Sequence, residues 1–183
     1  MKTLVVNTFG GPGSGKTTAC WEIASSLKKK GILTEYVSEY AKELVYEERF
    51  DILDDSMKNQ KEILKEQKRR IDRLIGKVEV VVTDSPLLLS IIYANDKTEE
   101  FVSHIIDIYC DYDNINLVIR RPKNKEYEQA GRKQNFEESK QKDKEILELL
   151  EDTELVYTVY NRGMIKDICN QIETKLKEVN KDG

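Results

Sequence analysis

The chain has 183 residues, 39% of them hydrophobic, which is enough for one domain with a proper core and a mobile insert. Its 30 basic and 34 acidic residues give a net charge of −4, which excludes a generally basic nucleic-acid binder. No apolar run is long enough to span a membrane and no signal peptide is recognisable, so we expect a cytoplasmic protein without a membrane partner. The three cysteines lie far apart without metal-ligand spacing, which indicates free thiols in a reducing compartment.

The first predicted element is a short buried strand, Leu4 to Phe9, which runs directly into a glycine-rich loop. The loop, Gly10 to Thr17, reads GGPGSGKT and matches the phosphate-binding pattern G-x-x-x-x-G-K-S/T at every fixed position. A helix is predicted from about residue 16 to 30, so the loop presents backbone N–H groups and a positive helix end to an anion. We expect ATP to bind here through Gly11, Pro12, Gly13, Ser14, Gly15, Lys16, Thr17 and Thr18.

Two side chains of this loop have predicted roles in phosphate chemistry. Lys16 would reach the β- and γ-phosphates, and Thr17 would hold Mg²⁺. The looser dinucleotide pattern G-x-G-x-x-G fails, because Lys16 stands where its last glycine should be. The loop therefore predicts a nucleoside triphosphate site rather than a dinucleotide site.

The next segment predicts a second strand, Leu33 to Val37, followed by a short helix that Ser38 can cap. A long helix is predicted from Asp51 to about Ile75, and its inner seam includes Gln60 and Gln67. A buried amide is costly unless it is hydrogen-bonded. Either these glutamines lie at the edge of the apolar stripe and reach water, or one of them faces a cleft and pairs with a ligand.

A dense β-branched run, Val78 to Val82, predicts a buried parallel strand that leads into Asp84. An acid at the end of such a strand usually orders the Mg²⁺ shell or acts as a base. The alternative is that Asp84 caps a helix predicted over Leu87 to Tyr93, and the two roles are compatible. We favour the metal role.

The rest of the chain alternates in the same way. Helices are predicted over Phe101 to Tyr109 and Ile165 to Val179, and strands over Ile115 to Ile119 and Leu155 to Tyr160. His104, the only histidine, is interpreted as structural. Five short strands alternating with helices predict an α/β, three-layer P-loop NTPase fold. The expectation is a single domain, residues 1–183, with a five-stranded parallel sheet in the order 2-3-1-4-5.

Residues 120–144 are basic and poor in apolar side chains, which predicts a mobile flap or lid at about 121–134. Ligands bind outside the carboxyl ends of strands in parallel sheets. That edge should collect the phosphate loop with the residues that follow the other strands: Glu39, Asp84, Arg120, Arg121, Asn161 and Arg162. Two carboxylates, a Mg²⁺ loop and a basic flap are the parts that phosphoryl transfer needs.

Two other classes of phosphate-loop protein fit less well. A guanine-nucleotide switch would need D-x-x-G after the third strand, where this chain has DSPL at Asp84 to Leu87. It would also need N-K-x-D, and the nearest string, Asn124 to Tyr127, lacks the final Asp. A ring-forming ATPase would need an additional helical lid domain, for which the chain is too short.

The chain resembles the small P-loop kinases of the nucleoside and nucleotide kinase superfamily. In particular it is similar to nicotinamide riboside kinases and to phage-encoded putative nucleotide kinases. The matching pieces are FGGPGSGKTT at 9–18, EYAKE at 39–43, Gln60, DSPL at 84–87 and GRKQ at 131–134. The sequence departs from the related pattern at Ser85 and Lys42, where arginine is usual, and lysine cannot make a bidentate clamp.

The resemblance implies specific roles for the site residues. Glu39 would be the general base, although Asp84 remains an alternative, and Gln60 or Gln67 would read the base of the acceptor. Arg121 and Arg132 would clamp the phosphates. Arg120 and Asn161 would contact the nucleotide. The acceptor would be bound by Glu39, Tyr40, Lys42, Gln60, Gln67 and Ser85.

Three functions remain open at this point. The first is an ATP- and Mg²⁺-dependent kinase acting on a hydroxyl or phosphate of a nucleoside, nucleotide or related metabolite. The second is a kinase acting on nucleic acid, at a modified base or a strand end, which the flap favours and the net charge disfavours. The third is a non-catalytic ATP-binding switch. The sequence leaves the oligomeric state, monomer or dimer, undecided.

Overall fold

A computed structural model describes residues 1–54, 56–121 and 135–180. Its strands are β1 Leu4–Phe9, β2 Thr34–Val37, β3 Val80–Thr83, β4 Asp113–Ile119 and β5 Thr158–Tyr160. Its α-helices are α1 Lys16–Lys29, α2 Tyr40–Tyr46, α3 Met57–Asp72, α4 Leu89–Tyr93, α5 Glu99–Cys110, α6 Phe136–Asp152 and α7 Ile165–Val179. A single 3₁₀ turn, Arg162–Met164, precedes α7.

The five strands form one sheet in the order β2-β3-β1-β4-β5, and all its neighbouring pairs are parallel. This confirms the predicted fold class and strand order. The central strand β1 is buried along its whole length, with Val5 opposite Val81 of β3 and Asn114 of β4. The carboxyl ends of all five strands therefore point to one edge of the sheet, the edge at which ligands bind in folds of this kind.

Helices cover both faces of the sheet. Leu4 and Val6 of β1 face a core shared with α1 and α7, whereas Val5 and Phe9 face a core shared with α3 to α6. This is the alternation that a strand buried on both sides requires. The predicted buried thiols Cys20 and Cys169 are confirmed, and both lie in the first of these cores.

Several element boundaries differ from the predictions. Ser38 does not cap α2: Glu39 is the N-cap residue, and the Ser38 hydroxyl donates to Glu43 instead. The long helix begins at Met57 rather than at Asp51, because the Ser56 hydroxyl accepts from the Asn59 amide and caps it there.

Two further differences concern single strands and turns. Strand β5 spans only three residues, and Val156, which the prediction included, is 88% exposed. Asp84 does not cap the next helix, because α4 starts at Leu89 with Leu88 as its N-cap. The cap role of Asp84 is therefore excluded, while its metal and general-base roles stay predictions.

The predicted flap lies outside the described residues except for Arg121 at its start. Across the parts of the chain that the structure describes, no helix is both long enough and apolar enough to cross a membrane.

Candidate active site

The loop between β1 and α1 depends on glycine at two positions. Gly15 precedes α1 with a φ of 103°, a left-handed conformation that strains residues with a Cβ. A Cβ on Gly11 would lie 2.3 Å from the carbonyl oxygen of Ser139 and 2.9 Å from Oδ1 of Asp143. The start of the loop is therefore packed directly against α6, and its end turns into α1.

The predicted phosphate ligand Lys16 lies folded over this loop. Lys16 is only 8% exposed. Its Nζ donates to the carbonyl oxygens of Gly10, at 2.7 Å, and Gly11, at 3.2 Å. An ammonium group has three N–H donors. Lys16 is therefore held by the loop backbone with one donor left for a phosphate oxygen.

Thr17, Asp84 and Tyr36 meet at the end of β3. The Thr17 hydroxyl donates to Oδ2 of Asp84 at 2.6 Å, and the Tyr36 hydroxyl donates to the same oxygen at 2.8 Å. Burial, and then the Asp84 carboxylate, raise the pKa of Tyr36 far above its usual value, so this phenol keeps its proton. Oδ1 of Asp84 is buried without a hydrogen-bond partner among the described residues.

This arrangement fits a divalent cation. A buried carboxylate oxygen without a partner is costly, and Mg²⁺ is bound by hard oxygen ligands such as carboxylates, hydroxyls and phosphates. The described residues contain no cluster of three or more histidine, cysteine or acidic side chains that could hold a metal. Mg²⁺ usually takes one or two protein ligands and completes its shell with water and substrate phosphates, which is what Thr17 and Asp84 leave room for.

Glu39 lies at the carboxyl end of β2, as its N-cap position on α2 shows. Strand β2 pairs with β3, which carries Asp84 at its end, and β3 pairs with β1, which leads into the loop. The two acids are thus on neighbouring strands, with Asp84 nearer the phosphate loop. One strand spacing, roughly 5 Å, separates the two strands that these acids follow.

The two glutamines of α3 are both buried, Gln60 at 4% exposure and Gln67 at 3%, which excludes the alternative in which they reach water at the edge of the apolar stripe. Gln67 accepts from the backbone N–H of Tyr40 at 3.0 Å and donates to the carbonyl of Ser38 at 3.2 Å. Its amide therefore brackets Glu39 from both sides. The structure uses Gln67 to position that turn, and a contact between Gln60 and an acceptor stays a prediction.

Arg70, also on α3, holds the same turn through charge. Its guanidinium donates to both carboxylate oxygens of Glu43, at 2.7 and 2.6 Å, and to Glu66 at 2.9 Å. It also lies 4.8 Å from the centre of the Tyr40 ring. These contacts lower the pKa of Glu43, chiefly through its hydrogen bond from Arg70.

Arg121, predicted to clamp phosphates, is bound to α6 and to the outside of the loop. It donates to Asp143 at 2.9 Å, to the carbonyl of Pro12 at 3.1 Å and to the Ser139 hydroxyl at 2.5 Å. Asp143 also accepts from the Gly11 N–H at 2.5 Å. A phosphate would have to share the guanidinium with these groups.

Four further predicted ligands lie among the described residues. Arg120 is exposed and lines, with Ser14, Gly15, Thr18 and other residues, a small hollow beside the start of α1. Asn161 is exposed at the end of β5. Lys42 is half-buried on α2, and the Ser85 N–H donates to the Thr83 hydroxyl at 3.1 Å. Arg132 lies outside the described residues.

Sequence reasoning missed four residues that build this site: Tyr36, Arg70, Ser139 and Asp143. Each contacts its partner across a long stretch of chain, for example 48 residues between Tyr36 and Asp84 and 132 between Asp143 and Gly11. No local pattern marks such contacts. For Tyr36 the sequence offers one indication: it lies in the strand just before the predicted acid Glu39, close to the edge where ligands bind.

Comparisons with known proteins bear on this site. A scan of protein families matches residues 5–167 to the family described as an AAA domain. The chain belongs to this AAA-domain family. The description names a domain and no reaction. Among the described residues after β5, only the 3₁₀ turn and α7 are present, so the lid domain expected of ring-forming ATPases is not among them.

Solved structures show the same fold for this AAA-domain chain. A cysteine-to-alanine mutant of the APS kinase CysC from Mycobacterium tuberculosis has a TM-score of 0.50 and 16% identity, covering 96% of this chain and 98% of that one. The same kinase in complex with AMPPNP and APS has a TM-score of 0.51 and 15% identity, with the same coverage. A search of curated proteins found no significant match. The chain therefore shares the P-loop fold of this APS kinase, and this likeness shows the fold alone.

Proposed function

We propose that the protein is an ATP-dependent kinase that transfers the γ-phosphoryl group to a nucleoside, nucleotide or related metabolite. The observation that carries this proposal is the pairing of Thr17 with Asp84 beside the loop that holds Lys16, with a buried Asp84 oxygen left without a partner. A second acid, Glu39, lies one strand further out, where an acceptor would approach.

The residues have distinct roles in this reaction. The loop N–H groups and Lys16 bind the β- and γ-phosphates, and Thr17 and Asp84 would hold Mg²⁺, which neutralises charge that develops on the phosphates. Glu39 orients the acceptor hydroxyl and takes its proton as the acceptor oxygen forms its bond to the γ-phosphorus. The bond between that phosphorus and the β–γ bridging oxygen breaks, and ADP leaves with the electron pair.

The acceptor end of the described site favours a hydroxyl over a phosphate as the acceptor. The guanidinium closest to the Glu39 turn, that of Arg70, is already bound by Glu43 and Glu66. The carboxylate of Glu39 accepts hydrogen bonds from hydroxyl and N–H donors, and the amide of Gln60 can both donate and accept. This supports a nucleoside-like acceptor, in keeping with the resemblance of the sequence to nicotinamide riboside kinases.

The test is acceptor-dependent formation of ADP across a panel of nucleosides, nucleotides and single- and double-stranded DNA. We expect a nucleoside-like compound to stimulate ADP formation and to appear as its phosphate. Stimulation by DNA alone would favour the alternative of a nucleic-acid kinase, which the basic composition of residues 120–144 supports. ATP binding without acceptor-dependent turnover across the panel would favour a non-catalytic switch.

A further inference from the structure

Tyr36 stands apart from the residues that the proposed reaction already uses. It lies in β2, and its hydroxyl crosses to β3 to donate to Oδ2 of Asp84 at 2.8 Å. Its ring packs on the core that β1 shares with α1 and α7, and the edge-on contact with Trp21 has a centroid distance of 6.4 Å. The ring is thus fixed by packing while the hydroxyl reaches the acid.

The two oxygens of Asp84 are treated differently by their surroundings. Oδ2 accepts from both Thr17 and Tyr36, whereas Oδ1 has no partner among the described residues, although Asp84 is 99% buried. Two donors that approach one oxygen from different elements, Thr17 from α1 and Tyr36 from β2, restrict rotation of the carboxylate. The direction in which Oδ1 points is therefore set by the pair, and not by the Asp84 backbone alone.

The two donors are not equivalent. The Thr17 hydroxyl belongs to the phosphate loop and would itself be a ligand of the cation, so its position depends on the bound nucleotide. The Tyr36 side chain comes from the sheet, so the position of its hydroxyl does not depend on the bound nucleotide. A carboxylate that binds a metal is commonly held by a hydrogen bond from a residue that does not itself bind the metal. Loss of such a bond typically weakens metal affinity 10–100-fold.

We propose that Tyr36 is a positioning residue that holds the Asp84 carboxylate through Oδ2 so that Oδ1 is presented to the divalent cation. The inference rests on the proposed function only in that it needs the nucleotide and Mg²⁺ site, not the transfer step. It predicts that the Tyr36 hydroxyl sets how tightly Mg²⁺ binds together with ATP. Packing alone would give the tyrosine ring a structural role without this effect.

Tyr36→Phe keeps the ring and removes only the hydroxyl. Tyr112→Phe is the control, because Tyr112 is also half-buried and its hydroxyl donates to a carboxylate, that of the exposed Asp72, at 2.6 Å. Binding of a fluorescent ATP analogue to the full chain is measured by anisotropy over a range of Mg²⁺ concentrations. The readout is the Mg²⁺ concentration at which half of the metal-dependent increase in affinity is reached. We expect Tyr36→Phe to raise this concentration by about tenfold or more and Tyr112→Phe to leave it within about twofold.

The outcomes separate this inference from the proposed function. The inference is overturned if the wild type shows metal-dependent binding and Tyr36→Phe has the same half-saturating Mg²⁺ concentration. A wild type without metal-dependent nucleotide binding overturns the inference and the proposed function together. A tenfold shift in a protein that phosphorylates nothing in the acceptor panel supports the inference and counts against the kinase proposal.

Discussion

At the phosphate end of the site, Lys16 donates to carbonyls five and six residues away within one loop. At the acceptor end, Gln67 and Arg70 reach the turn at residues 38–43 from a helix 27 to 29 residues further along the chain. Lys16 is thus held by nearby backbone, whereas the turn at residues 38–43 is held by side chains that tertiary packing brings to it. Local sequence therefore sets the position of Lys16, and tertiary packing sets that of the turn.

The largest effect should come from the phosphate end. We expect Lys16→Ala to abolish turnover, because the loop then loses the ammonium group that Gly10 and Gly11 hold over the phosphates. The measurement is the rate of ADP formation with the best acceptor. Lys28→Ala is the control, since Lys28 lies on the same helix but pairs with Glu35 at the exposed surface. Wild-type phosphoryl transfer by Lys16→Ala would contradict the whole account.

The second effect separates the two acids. Glu39→Gln should lower kcat by about 10²–10⁴ and leave ATP affinity nearly intact, because removal of a general base affects the transfer step. Asp84→Asn should weaken Mg²⁺–ATP binding as well. Steady-state kinetics and nucleotide titrations measure both effects. The control is Glu35→Gln in β2, because the Glu35 carboxylate pairs with Lys28 and not with the site. If Glu39→Gln is silent and Asp84→Asn loses only kcat, the roles are reversed.

A smaller effect is expected from the residue that holds the Glu39 turn. Gln67→Leu leaves the buried backbone groups of Ser38 and Tyr40 without their side-chain partner and releases Glu39. We expect kcat to fall by roughly 10–100-fold, as is typical for the loss of a supporting hydrogen bond, with ATP affinity retained. Equal losses of kcat and of ATP affinity would show that α3 supports both ends of the site.

The local end of the site could be predicted from the sequence because its geometry depends on residues close together in the chain. The loop pattern with Lys16 and Thr17 is of this kind. Asp84 lies 67 residues from Thr17, and its place beside the loop follows from the strand order, which sets β3 next to β1. The roles of Gln67 and Tyr36 could not be predicted. Periodicity places Gln67 on the inner face of α3, but its partners are backbone groups that only the packed turn supplies.

The close packing of the loop on α6 gives a stability prediction. Gly11→Ala places a Cβ 2.3 Å from the Ser139 carbonyl oxygen, so α6 or the loop must shift. We expect a loss of about 1–3 kcal/mol in the free energy of unfolding, measured by denaturant titration. Gly163→Ala is the control, because a Cβ there would meet no atom within 4 Å. Equal stability of the two variants would contradict the described contact between the loop and α6.

The smallest expected effect is the acid sensitivity of the acceptor end. Hydrogen bonds from Arg69 and then Arg70 lower the pKa of Glu66 to about 2. A carboxyl group with a lowered folded-state pKa stabilises the fold above its unfolded pKa of about 4.3 and loses that contribution as the pH falls towards 2.

The corresponding experiment compares urea unfolding of Glu66→Gln with the wild type between pH 6 and pH 2. The variant should be less stable by under about 1 kcal/mol at pH 6, because the pair is partly exposed, and the difference should vanish near pH 2. Glu62→Gln, at an exposed position of the same helix, serves as the control. A difference that grows as the pH falls has the wrong sign for this ion pair.

The central claim is that the acceptor end selects a nucleoside-like hydroxyl while the phosphate end binds Mg²⁺–ATP. The most direct measurement is ADP formation by the wild type with each member of the nucleoside, nucleotide and DNA panel, with Lys16→Ala run in parallel. The account predicts stimulation by a nucleoside-like compound, recovery of that compound as its monophosphate, and no turnover by Lys16→Ala. Stimulation restricted to nucleotides or DNA, or equal rates for the two proteins, would contradict it.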